Sequence, residues 1–187
     1  MTVEKNKPLV NFSAMKESSS FPMGQVGSLH LHPAESGGVL QDVKTIELET
    51  DKGIINNPRH FARHSRSGGF SKRQVSLMER EQIAKHASDI GWDTITPGLV
   101  RSNIETIGVD LISLIGRRVR IGTAVLFLYE ARTPCWQMDK IFPGLRKLME
   151  KNRQGVLSQV IASGIISVGD EIALSEDDSA NKARSNH

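Results

Sequence analysis

The chain has 187 residues, with 24 Lys and Arg against 21 Asp and Glu and a formal net charge of +3. It is long enough to bury a core unaided, and too mildly basic for net charge alone to imply nucleic-acid binding. Its one cysteine excludes an intrachain disulfide, and without an apolar run of membrane-spanning length or a charged-then-apolar amino terminus the expectation is a soluble, cytoplasmic protein with no membrane contact.

Residues 1–22 are polar, with serines at Ser18, Ser19 and Ser20, and are predicted to form a disordered arm; 176–187 reads as a disordered tail. The body, 23–175, consists of short apolar stretches broken by glycine and polar turns, which predicts one strand-rich domain. A first strand is expected over 25–32, closed by Pro33, a second over 39–48 and a third over 73–78. Ile83, Ala84, Ala87 and Ile90 then recur at helical spacing, predicting an amphipathic helix over 79–90. After Pro97-Gly98, residues 99–106 read as extended. Strands follow over 119–121 and 124–129, where β-branched and aromatic residues concentrate. A short helix is expected over 144–151, ended near Gly155, and three last strands over 156–161, 165–168 and 171–174. Many strands with two short helices predict a mostly β protein, a closed or partly closed β-barrel.

Three features carry chemistry. From Lys52 to Met78 there is no acidic side chain, while Lys52, Arg59, Arg63, Arg66, Lys72 and Arg73 are cationic and His60 and His64 lie among them. With Gly68, Gly69 and three serines this segment suits a loop that meets an anion, or a solvated basic loop with no ligand. Cys135 stands just past the apolar run 124–129, where a thiolate can serve as a soft metal ligand or a sulfur nucleophile. The alternative is a buried structural thiol. His30-x-His32 has a spacing that zinc sites can use, but no neighbouring motif supplies a third ligand. The segment Gly164 to Asp170 lacks the Lys-Ser/Thr pair of a phosphate-binding P-loop and reads as turns between strands.

The order and spacing of the turn signals resemble those of the MOSC domain, the family named for the carboxy-terminal domain of molybdenum cofactor sulfurases. The matching residues are Pro97-Gly98, Arg101-x-Asn103, Gly108, Arg120-Ile121-Gly122-x-Ala124-Val125-Leu126, Pro134-Cys135, Gly155-Val156 and Gly164-Ile165-Ile166-x-Val168-Gly169-Asp170. Upstream, Arg73-Gln74-Val75-Ser76-Leu77 with Glu81, and the pair Arg59-His60, fit the same pattern. One departure is visible: where these domains commonly carry Gly-Asp before Arg-His, this chain has Asn56-Asn57 with Pro58 inserted.

The resemblance implies a barrel of MOSC type, similar to the pyruvate-kinase barrel. It also implies binding of a molybdopterin-type molybdenum cofactor, or sulfur carriage as a persulfide on Cys135, with a sulfurtransferase or redox protein as partner and a family-level association with pyridoxal phosphate. It extends to an oxidoreductase that reduces N-hydroxylated compounds. Cys135 is then the catalytic residue and the molybdenum ligand, and Arg101 and Asn103 hold the cofactor. On an extended segment those two side chains share a face, the guanidinium suiting phosphate and the amide a pterin edge. The plainer alternative has Arg101 packing its stem over the barrel end while Asn103 caps a turn. Thr133, two residues before the cysteine, reads equally as a ligand donor or an ordinary strand-end residue. Arg59, His60 and Arg73 complete the candidate anion pocket. The rival from another class is a non-catalytic module binding phosphate or nucleic acid through the basic loop 59–73, although few aromatics accompany it for stacking.

Overall fold

In a computed structural model of the chain, the structure describes residues 23–176. The predicted arm, and the predicted tail apart from Glu176, lie outside the described residues.

Among the described residues eleven strands, three α-helices and one 3-10 turn, Ile112–Leu114, are formed. In chain order the strands are β1 (Gly24–Leu31), β2 (Gln41–Val43), β3 (Thr45–Glu49), β4 (Gly53–Ile54), β5 (Val75–Glu79), β6 (Ile104–Ile107), β7 (Arg118–Ile121), β8 (Ala124–Ala131), β9 (Val156–Ala162), β10 (Gly164–Ser167) and β11 (Glu171–Leu174). The helices are α1 (Arg80–Asp89), α2 (Gln137–Ile141) and α3 (Leu145–Leu148). Seven strands close a barrel in the order β1, β6, β5, β9, β8, β7, β11, the last pairing back to β1. Closure removes the open edges that a flat sheet exposes. Every barrel pair is antiparallel except β5 with β6, which are parallel and joined through α1, as a parallel pair requires a crossover. β2 adds to the outside of β1, and β10, β3 and β4 form a separate small sheet.

Period-2 alternation places the barrel core. On β8, Ala124, Leu126 and Leu128 are buried between partly exposed neighbours, and they meet Leu29, Leu77, Ile104, Val160 and Ile172 inside the barrel. Burying each large side chain contributes about 1.5–3 kcal/mol, whereas an exposed ion pair such as Lys52 with Glu49 belongs to a class worth about 0–1 kcal/mol. The barrel therefore rests on its interior. A second core lies under the helices, where Ile83 and Ala87 of α1 pack with Met78, Ile95, Val100, Met138, Leu145 and Met149.

Four expectations are corrected. The strand predicted over 39–48 is two strands in different sheets, since the chain breaks at Lys44 between β2, which pairs with β1, and β3, which pairs with β10. The extended run predicted over 99–106 is a strand only from Ile104; before it the chain turns, and Arg101 adopts φ 64°. The third strand starts at Val75 rather than 73. The helix expected over 144–151 is one turn, Leu145–Leu148, and the reading also missed α2 and the two-residue β4. The glycine at Gly155 is required by close approach: a Cβ there would lie 2.0 Å from the Leu77 carbonyl oxygen.

Candidate functional site at the barrel end

The loop from Pro97 to Asn103 shapes the site. The Leu99 N–H donates to the Thr96 carbonyl at 3.1 Å across Pro97-Gly98, and Gly98 has φ 80°, the Pro-then-Gly pattern of a type II turn. A Cβ on Gly98 would stand 2.9 Å from His30 Nδ1, so the backbone lies flat on that ring. The Gly98 N–H donates to Glu105 Oε1 at 2.7 Å, and the other oxygen of this fully buried carboxylate accepts from Arg80 at 2.7 Å and from Ser28 at 3.2 Å. His30, itself buried, is held by Asp42 at 2.8 Å and Ser28 at 3.0 Å. This polar layer anchors the turn that ends at Arg101.

Arg101 leaves the turn in left-handed geometry, uncommon for a residue with a Cβ. Its guanidinium donates to the Gly38 carbonyl at 2.7 Å and approaches His32 Nδ1 at 3.4 Å. A guanidinium has no acceptor, so His32 Nδ1 is the acceptor and its ring proton sits on Nε2. Asn103, two residues on, is internally occupied: its Oδ1 accepts from the Ser76 N–H and hydroxyl, and its Nδ2 donates to the His30 carbonyl at 3.1 Å. Asn103 thus braces β1 against β5 while lining the site.

A polar slot of about 10 Å³ lies between His32, His60, Arg73, Gln74, Ser76, Arg101 and Asn103, the space of a single water or one oxygen of a larger group. Arg101 also borders a neighbouring pocket of about 310 Å³, whose walls include Leu40, Pro97, Leu99, Gln137 and Ile141. The imidazoles of His32 and His60 meet edge to face with centroids 4.9 Å apart. His60 Nδ1 is buried with no hydrogen-bond partner. Burial, then the His60 ring and Arg101, Arg132 and Arg59, push His32 down to about 3. Burial, then Arg73, Arg59, Arg63 and Arg132, push His60 down to about 4. Both rings are neutral at pH 7.

Arg132 enters from the end of β8 and is buried, donating to the Val100 carbonyl at 3.3 Å and the Ser102 hydroxyl at 3.1 Å. Burial and the Arg73 charge bring it down to about 10, with Cys135 acting in the opposite sense. Cys135 is exposed, its Sγ 3.8 Å from Gln137 Oε1, and it raises the proton affinity of both Arg101 and Arg132. Among the described residues, Arg59, Arg73, Arg101 and Arg132 have no carboxylate within ion-pair distance. A cluster of guanidiniums without counter-ions is what an anion site needs.

The predicted residues divide. Arg59, His60, Arg73, Arg101, Asn103 and Cys135 gather at one barrel end, through lining or electrostatic contact. Thr133 is exposed, as Cys135 is, and the two alternate with buried Arg132 and Pro134. The basic loop also divides: Arg66 and Lys72 are exposed and have no part in the slot, Arg63 is exposed but acts on His60 through its charge, and His64 bridges to Phe70. Sequence reading missed His32, Gln74 and Ser76 as slot residues, while Arg132 acts on the slot through its charge. His32 did stand out in the His30-x-His32 spacing, but only the second of those rings, beyond the end of β1, reaches the slot.

The family model of the MOSC domain matches residues 56–173. The chain belongs to the MOSC domain family. The solved structures similar to it include the YuaD protein from Bacillus subtilis, at 22% identity over 81% of this chain and 94% of that one, with a TM-score of 0.70. YiiM from Geobacillus stearothermophilus is 17% identical over 82% of this chain and 75% of that one, TM-score 0.64; YiiM from Escherichia coli is 19% identical over 81% and 70%, TM-score 0.59. At these identities the likeness is one of fold. Comparison with curated proteins found no match. In this MOSC barrel the motif glycines and Pro97 set the turns, and the motif Arg101, Asn103 and Cys135 stand on the segments those turns deliver. Among the described residues no helix is long and apolar enough to cross a membrane.

Proposed function

We propose that this MOSC protein binds a molybdopterin-type molybdenum cofactor at the barrel end, with Cys135 as the thiolate ligand, in support of an oxidoreductase that reduces N-hydroxylated compounds. The observation that carries this reading is the exposed thiol standing in electrostatic contact with two members of a guanidinium cluster that has no carboxylate partner among the described residues. The residues fit the group. Arg59, Arg73, Arg101 and Arg132 suit its phosphate, His60, whose Nδ1 is unpartnered, lines a slot with room for one oxygen, and the adjoining pocket of about 310 Å³ is of the size that takes a fused heterocycle.

When bound, the cofactor would supply two-electron redox chemistry at molybdenum. The protein's part is to hold and orient. Arg101 joins the slot to the larger pocket, Arg132 and Arg101 set a positive field beside the thiol, and the apolar walls exclude water from one side of the site. Thr133, exposed two residues before Cys135, is the accessory donor of this reading.

The test is purification without reductant from hosts with and without molybdenum cofactor synthesis, followed by elemental analysis, pterin fluorescence and intact mass. Molybdenum and pterin are expected with the wild type from the competent host, molybdenum is expected to be lost in Cys135→Ala, and both in Arg101→Ala. Full cofactor content in Cys135→Ala would sink the ligand role. A mass gain of one sulfur atom on Cys135 without molybdenum would replace it with sulfur carriage and a sulfurtransferase partner. Salt-sensitive nucleic-acid binding lost only on neutralising Arg63, Arg66 and Lys72 would favour the rival binding module.

A further inference from the structure

The slot holds two neutral imidazoles, and the fixed charges that act on them among the described residues are guanidiniums. Arg59 and Arg63 come from the loop after β4, Arg73 from the entry to β5, Arg101 from the Pro97 turn and Arg132 from the end of β8, with the Cys135 thiol beyond. His32 uses Nδ1 to accept from Arg101, and His60 Nδ1 is buried and unpartnered. In this state neither ring is a full donor set, and one guanidinium N–H is spent on an imidazole.

An anion reverses the local field. A dianion among these groups favours a proton on an imidazole, for the same Coulombic reason that the guanidiniums now disfavour it. A proton arriving from solvent on His32 Nδ1 removes the acceptor that Arg101 uses and so frees that guanidinium N–H for the anion, while the ring gains a second N–H donor. Protonation of His60 leaves an N–H donor on both of its ring nitrogens, the buried and unpartnered Nδ1 included. With centroids 4.9 Å apart, two imidazoliums repel, so the pair takes up one proton rather than two.

We infer that His32 and His60 are oxyanion-binding residues of this site, and that the pair takes up a proton together with the oxyanion it helps to hold. This rests on the reading that the slot receives the anionic end of a ligand, and it adds His32 to the binding set and a proton to the binding step. The ligand class is a phosphate-like dianion.

Sulfate is the probe, because it stays a dianion from about pH 8 to about pH 5, the range in which histidine chemistry operates. Binding to the full chain is followed by proton–nitrogen correlation NMR, which reads affinity and imidazole protonation together. The expected result is affinity rising about tenfold per pH unit as pH falls, one proton per anion, with one of the two rings converting to imidazolium on saturation. His60→Gln and His32→Gln each flatten that slope, whereas His64→Gln, on the exposed side of the same loop, leaves it intact. Should a variant fail to fold, the imidazole signals of the wild type decide alone. Sulfate binding with pH-independent affinity and rings that stay neutral would overturn the inference and leave the anion reading standing. No sulfate binding at any pH would remove both.

Discussion

The side-chain oxygen of Asn57 accepts the backbone N–H of His32 at 2.7 Å, tying the loop after β4 to the end of β1 with both groups buried. The same residue's carbonyl accepts from His60 and Phe61 at 2.9 Å each, so Asn57 sets the approach of both histidines. Here the family pattern commonly has an aspartate. Asparagine keeps the acceptor and removes the charge, so among the described residues the guanidinium cluster has no counter-ion.

Asn57→Asp should therefore retain the fold while supplying that counter-ion, and sulfate affinity should fall by at least about tenfold, roughly 1.4 kcal/mol. Asn57→Ala leaves a buried N–H unpaired and should cost about 1–3 kcal/mol in urea unfolding. Equal sulfate affinity in Asn57→Asp and wild type would show that Asn57 lies outside the field of the slot.

Acid should destabilise the protein through the two slot histidines. Both are depressed in the folded state from 6.5, to about 3 for His32 and about 4 for His60, so between pH 6.5 and those values the unfolded chain binds more protons. Stability is then full above pH 6.5 and is lost as pH falls through the folded values. Urea midpoints are expected to decline from pH 6.5 downward, less steeply in His32→Gln and His60→Gln. Saturating sulfate should restore part of the loss.

The Pro97-Gly98 turn should tolerate no side chain at its second position. Gly98→Ala puts a Cβ 2.9 Å from His30 Nδ1 at φ 80°, strain and overlap together, and should cost at least about 1 kcal/mol. Because the turn leads directly into Arg101, sulfate affinity should drop with it. A variant of wild-type thermal stability would mean that the loop has an alternative path over the ring.

Cys135 should separate function from stability. The side chain is exposed and makes one weak contact, with Gln137, so Cys135→Ser should change unfolding free energy by no more than about 0.5 kcal/mol. In the native wild type the thiol should alkylate to completion at neutral pH without denaturant, and sulfate should slow the reaction by shielding the neighbouring guanidiniums. A thiol that reacts only after unfolding would contradict its place at the site rim.

The sequence by itself determined the mostly β character, the family motifs and the gathering of acid-free basic chemistry around residues 52–78, because alternation, turn residues and charge are local properties of a chain. β11 was expected at its observed limits, 171–174, after the turn at Gly169-Asp170, and β8 from its observed first residue, since its first six residues alternate buried with partly exposed positions. The tertiary structure alone decided where 39–48 breaks between two sheets, the left-handed turn at Arg101, the internal employment of Asn103 and the burial of Arg132. It also decided that His32, rather than His30, meets His60. Each of these depends on contacts between segments far apart in sequence, such as Asn57 with His32 or Gly98 with Glu105, whose energies no local pattern records. Barrel closure brings those segments together, and only then does a set of scattered cations become one field.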